Sequence, residues 1–275
     1  MTERCDAIEC LCNSPQRLRI LDVLDDAQMD VRDLMERLNS PRSTVQRNLS
    51  VLEERGWIED TCSGYTTTTV GSLLREEFVS ASEAADTIKR LAPFLEAVNT
   101  PPKIDISQLS DALVITPDSG QPMSLINRLF NSFGGTDRVR GFLPVVSSLS
   151  IELSCRVDTD DGSVPEYEYV LSSDAFDTLR QQYGSDSADV AEIDPPTHVD
   201  IWVYEGSLSY GLFVSDEQLA LVGYNEVGRI QAVVESTSAT AIKWGEGVYE
   251  AYRDQSIQPH ETDTSLGAPD TEPAN

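Results

Sequence analysis

Lysine is nearly missing from this chain. It stands only at Lys89, Lys103 and Lys243, and arginine supplies the rest of 20 basic residues set against 47 acidic ones, for a formal net charge of -27. That balance excludes a protein whose affinity for nucleic acid comes from an overall basic surface. An acidic, lysine-poor surface stays hydrated when charge is screened within about 3 Å, as in molar salt. The global charge is therefore expected to report habitat, and any binding of polyanions must rest on local charge. Long apolar runs are absent too. Nothing approaches the roughly 18 uninterrupted apolar residues of a membrane span, and Met1 to Cys5 has neither a basic flank nor an apolar run, so a soluble, cytoplasmic chain is expected. Histidine occurs only as His198 and His260, the first without the spaced lysine of a histidine-dependent phosphodiesterase. No G-x-S-x-G, Walker A or G-x-G-x-x-G pattern occurs, and acids are too numerous to single out a catalytic pair. An enzyme is not expected, and no cofactor and no metal site are assigned. Five cysteines, an odd number, argue against a disulfide framework.

What is present is a strong periodicity near the N-terminus. Ser14-Pro15 offers a cap and a first-turn proline, followed by an apolar face of Leu18, Leu21, Val23 and Leu24. After Asp30, Val31, Leu34, Met35 and Leu38 repeat at helical spacing, with Asn39 as a C-terminal residue. Ser40-Pro41 starts a third helix with Val45, Leu49 and Leu52 inward, closed by Gly56. Trp57–Asp60 and Tyr65–Thr69 then read as two strands around a turn containing Gly64. Three helices and a two-stranded hairpin form a winged helix-turn-helix over residues 1–70.

The third helix carries the chemistry. Arg42, Ser43, Thr44, Gln46, Arg47 and Asn48 are expected to project away from its apolar stripe. Arginine pairs with guanine, Gln or Asn with adenine, and Ser or Thr with phosphate. Between residues 31 and 52 the only acids are Asp33 and Glu36, and Glu53-Glu54 return at the far end, so a small positive window is expected. Arg17 is a candidate phosphate contact, and Ser63, Tyr65 and Thr66 are candidate contacts of the hairpin. Double-stranded DNA is the expected partner; a winged helix that binds protein is the alternative.

Residues 42–49, Leu52-Glu53-Glu54-Arg55-Gly56-Trp57-Ile58, Tyr65 and Gly71, with Ser14 to Leu21 upstream, resemble the winged helix-turn-helix of archaeal, and by composition haloarchaeal, transcriptional regulators. The resemblance covers about residues 8–75. Further on, Leu219–Val222 and Ala241–Arg253 are similar to the end of the domain of FilR1-type methanogenesis regulators. That similarity implies a regulatory module without naming its ligand, so a small-molecule effector is expected only as a class. Trp244, Tyr249 and Tyr252 are read as packing residues.

Between these parts, residues 71–103 read as a linker helix. Leu74, Phe78, Ala81, Ala85, Ile88 and Ala92 follow coiled-coil spacing, Pro93 interrupts, and a homodimer is one reading while packing within the chain is the other. Residues 104–255 alternate strands and helices as an α/β regulatory domain, and residues 256–275 read as a disordered tail. The expected class is therefore α+β: winged helix-turn-helix, linker helix, α/β sensor-type domain. Cys5, Cys10 and Cys12 precede the first helix of the motif and Cys62 falls in the hairpin, which leaves a thiol- or metal-responsive switch as a second alternative beside plain packing.

Overall fold

The computed structural model describes residues 6–98, 104–117, 123–133, 136–146, 166–183 and 199–259. The fold is α+β and divides into two compact units, Met1–Asp86 and Thr87–Asn275.

The first unit has helices α1 (Asp6–Cys12), α2 (Pro15–Asp26), α3 (Val31–Leu38) and α4 (Arg42–Glu54), then strands β1 (Ile58–Thr61) and β2 (Gly64–Thr67), and the start of α5 (Thr69–Glu96). Its boundaries follow local chemistry. Asp30 accepts from the amides of Arg32 and Asp33 while Asp33 reaches back to the amide of Asp30, a reciprocal cap at the start of α3. Asn39 ends that helix in the left-handed region, at φ 46. Pro15 occupies the first turn of α2, where its missing N–H costs nothing. Ile20, Leu21, Leu24, Leu34, Val45, Leu49, Leu52, Trp57 and Ile58 bury their side chains in one cluster. The hairpin is antiparallel, with Ile58 opposite Thr67 and Thr61 opposite Gly64. Met29 adds a single bridge to Tyr65, so the linker between α2 and α3 lies along the hairpin's edge.

Helix α1 was not legible in the sequence. Its Cys10 and Leu11 belong to the same core, and Asp6 takes both terminal nitrogens of Arg55, at 2.7 and 3.0 Å. Pro93 does not interrupt α5, contrary to the sequence expectation. The helix runs through it to Glu96, because Leu91, Phe94 and Val98 are buried in the second unit's core and hold the turn that has lost one amide donor.

The second unit is built on a seven-stranded mixed sheet of order β3-β9-β8-β7-β4-β5-β6. The strands are β3 (Leu113–Ile115), β4 (Arg138–Leu143), β5 (Glu166–Ser172), β6 (Val199–Tyr204), β7 (Gly211–Val214), β8 (Leu219–Tyr224) and β9 (Ile230–Ser236). Strands β4, β5 and β6 run parallel, and every other pairing is antiparallel. Helices α6 (Met123–Ser132) and α7 (Ser173–Tyr183) cover one face, packing Leu125, Leu129, Ala175 and Leu179 against Val139, Tyr167, Tyr169 and Phe213. Helix α8 (Ala239–Arg253) and the end of α5 cover the other, meeting Phe142, Val170, Leu212 and Leu221. Strands β7 and β8 are consequently apolar on both sides, as a sheet buried on two faces requires. Of the segment assigned to a disordered tail, residues 256–259 are described, and Ile257 pairs with Val203 at the sheet's edge. The rest of that segment lies outside the described residues.

Candidate nucleic-acid interface

Helix α4 is seated by Val45, Leu49 and Leu52, which are 2% exposed or less, and this fixes which side faces outward. Ser43, Gln46, Arg47 and Ser50, spaced three and four apart, form an exposed ridge, and Arg42 is exposed at the helix start. Thr44 is half-buried. Neither Arg42 nor Arg47 enters an ion pair among the described residues, whereas Arg32 is paired with Glu36 and Arg55 with Asp6. Arg42 stands at the N-terminal, electropositive end of the helix, and Arg47 follows about one and a half turns along the same exposed side. Glu53 and Glu54 stand exposed at the opposite end. The arrangement offers a short ridge of hydrogen-bonding side chains with positive charge at its head.

Three expected contacts are not on that ridge. Asn48 is fully buried. Its Oδ1 accepts from Ser14 Oγ and from Arg17 Nε, each at 3.2 Å, and its Nδ2 donates to the Thr44 carbonyl at 2.9 Å. Arg17 is half-buried and turned the same way, its Nη1 donating to the Cys10 carbonyl at 2.7 Å. Spacing along α4 could not separate Asn48 from its polar neighbours, because the partners that draw it inward come from α2 and its N-cap, Ser14. Tyr65 packs against the module's core, and burial, then the nearby carboxylates of Asp60 and Glu53, holds its hydroxyl above the usual phenol range. At the hairpin, Ser63 is exposed and Thr66 half-buried.

Family comparisons bear on both units. Residues 122–255 match the model described as methanogenesis regulatory protein FilR1, middle domain, and residues 5–90 match the HVO_A0261 N-terminal domain. The second unit is thus similar to the middle domain of FilR1-type transcriptional regulators, and the first to the HVO_A0261 N-terminal domain. No curated protein sequence matches it. Among solved structures, TrmBL2, an archaeal chromatin protein, aligns at 10% identity over 94% of this chain and 100% of its own, with a TM-score of 0.36. NucT from Helicobacter pylori aligns at 5% identity over 54% and 98%, with a TM-score of 0.40. These scores are too low to carry an argument about site or function.

In the FilR1-type domain, charge is buried on the sheet. Glu168 of β5 is 9% exposed and is held by Arg138 of β4 at 2.8 Å and Arg253 of α8 at 3.3 Å. The Arg253 guanidinium lies 3.8 Å from the centroid of Trp202. Arg140 pairs with Glu246, about two turns earlier on α8. On the opposite face Glu235 of β9 is tied to Arg128 of α6 at 2.9 Å. Each buried carboxylate is thus paired, as its desolvation requires. Tyr249 is buried, and Trp244 and Tyr252 pack partly buried against the same core. His198 and His260 fall outside the described residues.

The cysteines divide. Cys10 is buried with its Sγ 3.3 Å from Arg17 Nη1, Cys12 and Cys62 are exposed, and Cys5 and Cys155 lie outside the described residues. Among the described residues no trio of His, Cys, Asp or Glu is placed to hold a metal ion, and no helix is long and apolar enough to cross a membrane.

Proposed function

We propose that the winged-helix module reads an operator in double-stranded DNA through α4, and that the FilR1-type domain adjusts this reading in response to a small molecule or a partner. The observation that carries the proposal is the exposed ridge of Ser43, Gln46, Arg47 and Ser50 with Arg42 at its head, its two arginines without an ion pair among the described residues of a strongly acidic chain. In this reading Arg42 and Arg47 pair with guanine or phosphate, Gln46 with adenine, and Ser43 and Thr44 with the backbone. Ser63 and Thr66 of the hairpin meet the adjacent groove. The acidic envelope restricts where a phosphate backbone can approach, so the docking direction is set by exclusion as much as by attraction. In molar salt counterion release is weak, and base contacts and avidity supply more of the affinity than in dilute buffer.

Avidity calls for two copies. Helix α5 exposes Val70 and Leu73, at 55% and 57%, beside the exposed Ala81 and Ala85, and this apolar surface serves as the homodimer contact. The seam expected from spacing differs in part, since Leu74 and Phe78 pack into the module's own core.

The test is a selection of tight-binding duplexes from a random pool by the wild-type chain in molar KCl, followed by titration of Arg42→Ala and Arg47→Ala. Each substitution is expected to weaken the selected duplex by about 1–3 kcal/mol where the arginine contacts a base. If both variants bind as wild type does, α4 is not the reading element. If no duplex is enriched, the exposed ridge belongs to a protein partner instead.

A further inference from the structure

We infer that Asn48 and Arg17 are positioning residues that fix the seating of α4, and that neither touches DNA. The inference rests on the DNA-reading role proposed above and assigns a part in it to residues that role does not use.

A primary amide with no exposure on a helix whose other inward residues are Val45, Leu49 and Leu52 is costly unless its hydrogen bonds are satisfied. Asn48 meets that condition with partners from two segments. The two bonds to Oδ1, from Ser14 Oγ and Arg17 Nε, use both lone pairs, and the bond from Nδ2 goes to Thr44 within α4. Apolar contact alone is non-directional, so it leaves a helix free to roll and slide by small amounts, whereas a saturated amide has one geometry. Asn48 is adjacent to Arg47 and two residues from Gln46. A roll of α4 about its axis therefore moves the whole ridge together, and the amide is the group placed to prevent it.

Ser14 supports this independently. It occupies the N-cap of α2, a position whose hydroxyl ordinarily accepts from the helix amides, yet it makes no such bond and donates to Asn48 instead. Arg17 extends the same chain of bonds outward. Its Nε is taken by Asn48 and its Nη1 by the carbonyl and Sγ of Cys10, at 2.7 and 3.3 Å. Three helices, α1, α2 and α4, are thus pinned through one guanidinium and one amide. With Nε and Nη1 both engaged, each pair of nitrogens that could clamp a phosphate bidentately already has one member in use.

The experiment uses the full chain, the duplex selected by wild type, and an unrelated duplex, each titrated across a KCl series. Arg17→Met and Asn48→Leu are expected to lower affinity for the selected duplex about 10-fold, comparable to one mismatched base pair. Affinity for the unrelated duplex and the salt slope should not change. Base-by-base substitution of the selected duplex should show discrimination flattened at every position α4 reads. The double variant should lose no more than the worse single one, because both changes break the same pin. If either leucine or methionine variant fails to fold, Ser14→Ala removes one donor to Asn48 without removing a cap and should give the same pattern in smaller size. A phosphate contact by Arg17 would instead weaken both duplexes and reduce the salt slope by about 1. A base contact by Asn48 would erase discrimination at a single position. Either result overturns the inference. Arg47→Ala is the control: if it binds as wild type, the DNA-reading role fails and takes the positioning role with it, whereas its loss beside a reduced slope in Arg17→Met removes the positioning role alone.

Discussion

Replacing Asp25 with alanine tests the joint on which the winged-helix module turns into α5. The Asp25 carboxylate lies in the last turn of α2, and it accepts from Ser72 Oγ at 2.5 Å, Arg75 Nη2 at 2.8 Å and Thr67 Oγ1 at 3.3 Å. Three elements, α2, β2 and α5, meet on one side chain. Its side chain is 26% exposed and that of Arg75 28%, so the pair sits between the surface and the buried limits. A surface pair is worth about 0–1 kcal/mol and a broken buried pair costs about 3–5 kcal/mol. Arg75 also keeps a second partner in Asp22, at 3.1 Å, which shields it from being left wholly uncompensated. Two hydroxyl bonds to a charged acceptor are lost as well. The expected cost is about 2 kcal/mol, confined to the first unit. Urea denaturation in molar KCl, followed by amide exchange in peptides of α2 and of the first turns of α5, reads it locally. Asp25→Asn should cost less, since an amide oxygen can still accept from Ser72. Arg32→Ala is the internal comparison: its pair with Glu36 is 84% and 71% exposed and should contribute nothing measurable at that salt. If Asp25→Ala and Arg32→Ala shift stability equally, the joint carries no more energy than a surface contact and the reasoning is refuted.

Other outcomes follow from the same structure. Gly71→Ala would place a Cβ 2.0 Å from the Trp57 carbonyl oxygen, a backbone atom that cannot swing aside, and should destabilise the module by about 3 kcal/mol in a thermal melt. The module should also be acid-labile. Asp25 is held below its ordinary 3.8 chiefly by the Ser72 hydrogen bond, and Asp6 likewise by Arg55, so each contributes stability that is fully present above 3.8 and is lost as pH falls through the depressed folded value. Asp25→Asn should flatten that acid limb, and an unchanged limb would discount the group. Leu73→Glu, on the exposed part of α5, should turn a dimer into a monomer by light scattering in molar salt; an unchanged mass places the dimer contact elsewhere.

Much of this protein was determined by sequence alone, and for a local reason. Helix periodicity, the Asp30 cap, the Asn39 stop and the glycine hairpin act within a few residues, so α2, α3, α4 and the hairpin could be placed from spacing and capping chemistry. The strands of the second unit were visible for a similar reason, since runs such as Leu219–Val222 have no polar residue to face outward. The scarcity of lysine, too, is a property of composition that no fold alters. Only the tertiary structure decided which polar residues of α4 face outward. Asn48 and Arg47 are adjacent polar residues, and what turns the amide inward is a pair of donors some thirty residues earlier in the chain, Ser14 and Arg17. The same holds for Pro93, which should end a helix on local grounds and does not, because Leu91 and Phe94 are held in a core assembled from distant strands. It holds again for Glu168, one acid among 47, singled out only when β4 and α8 bring Arg138 and Arg253 to it. Short-range chemistry wrote the elements; hydrogen bonds and burial across long separations chose what each side chain is for.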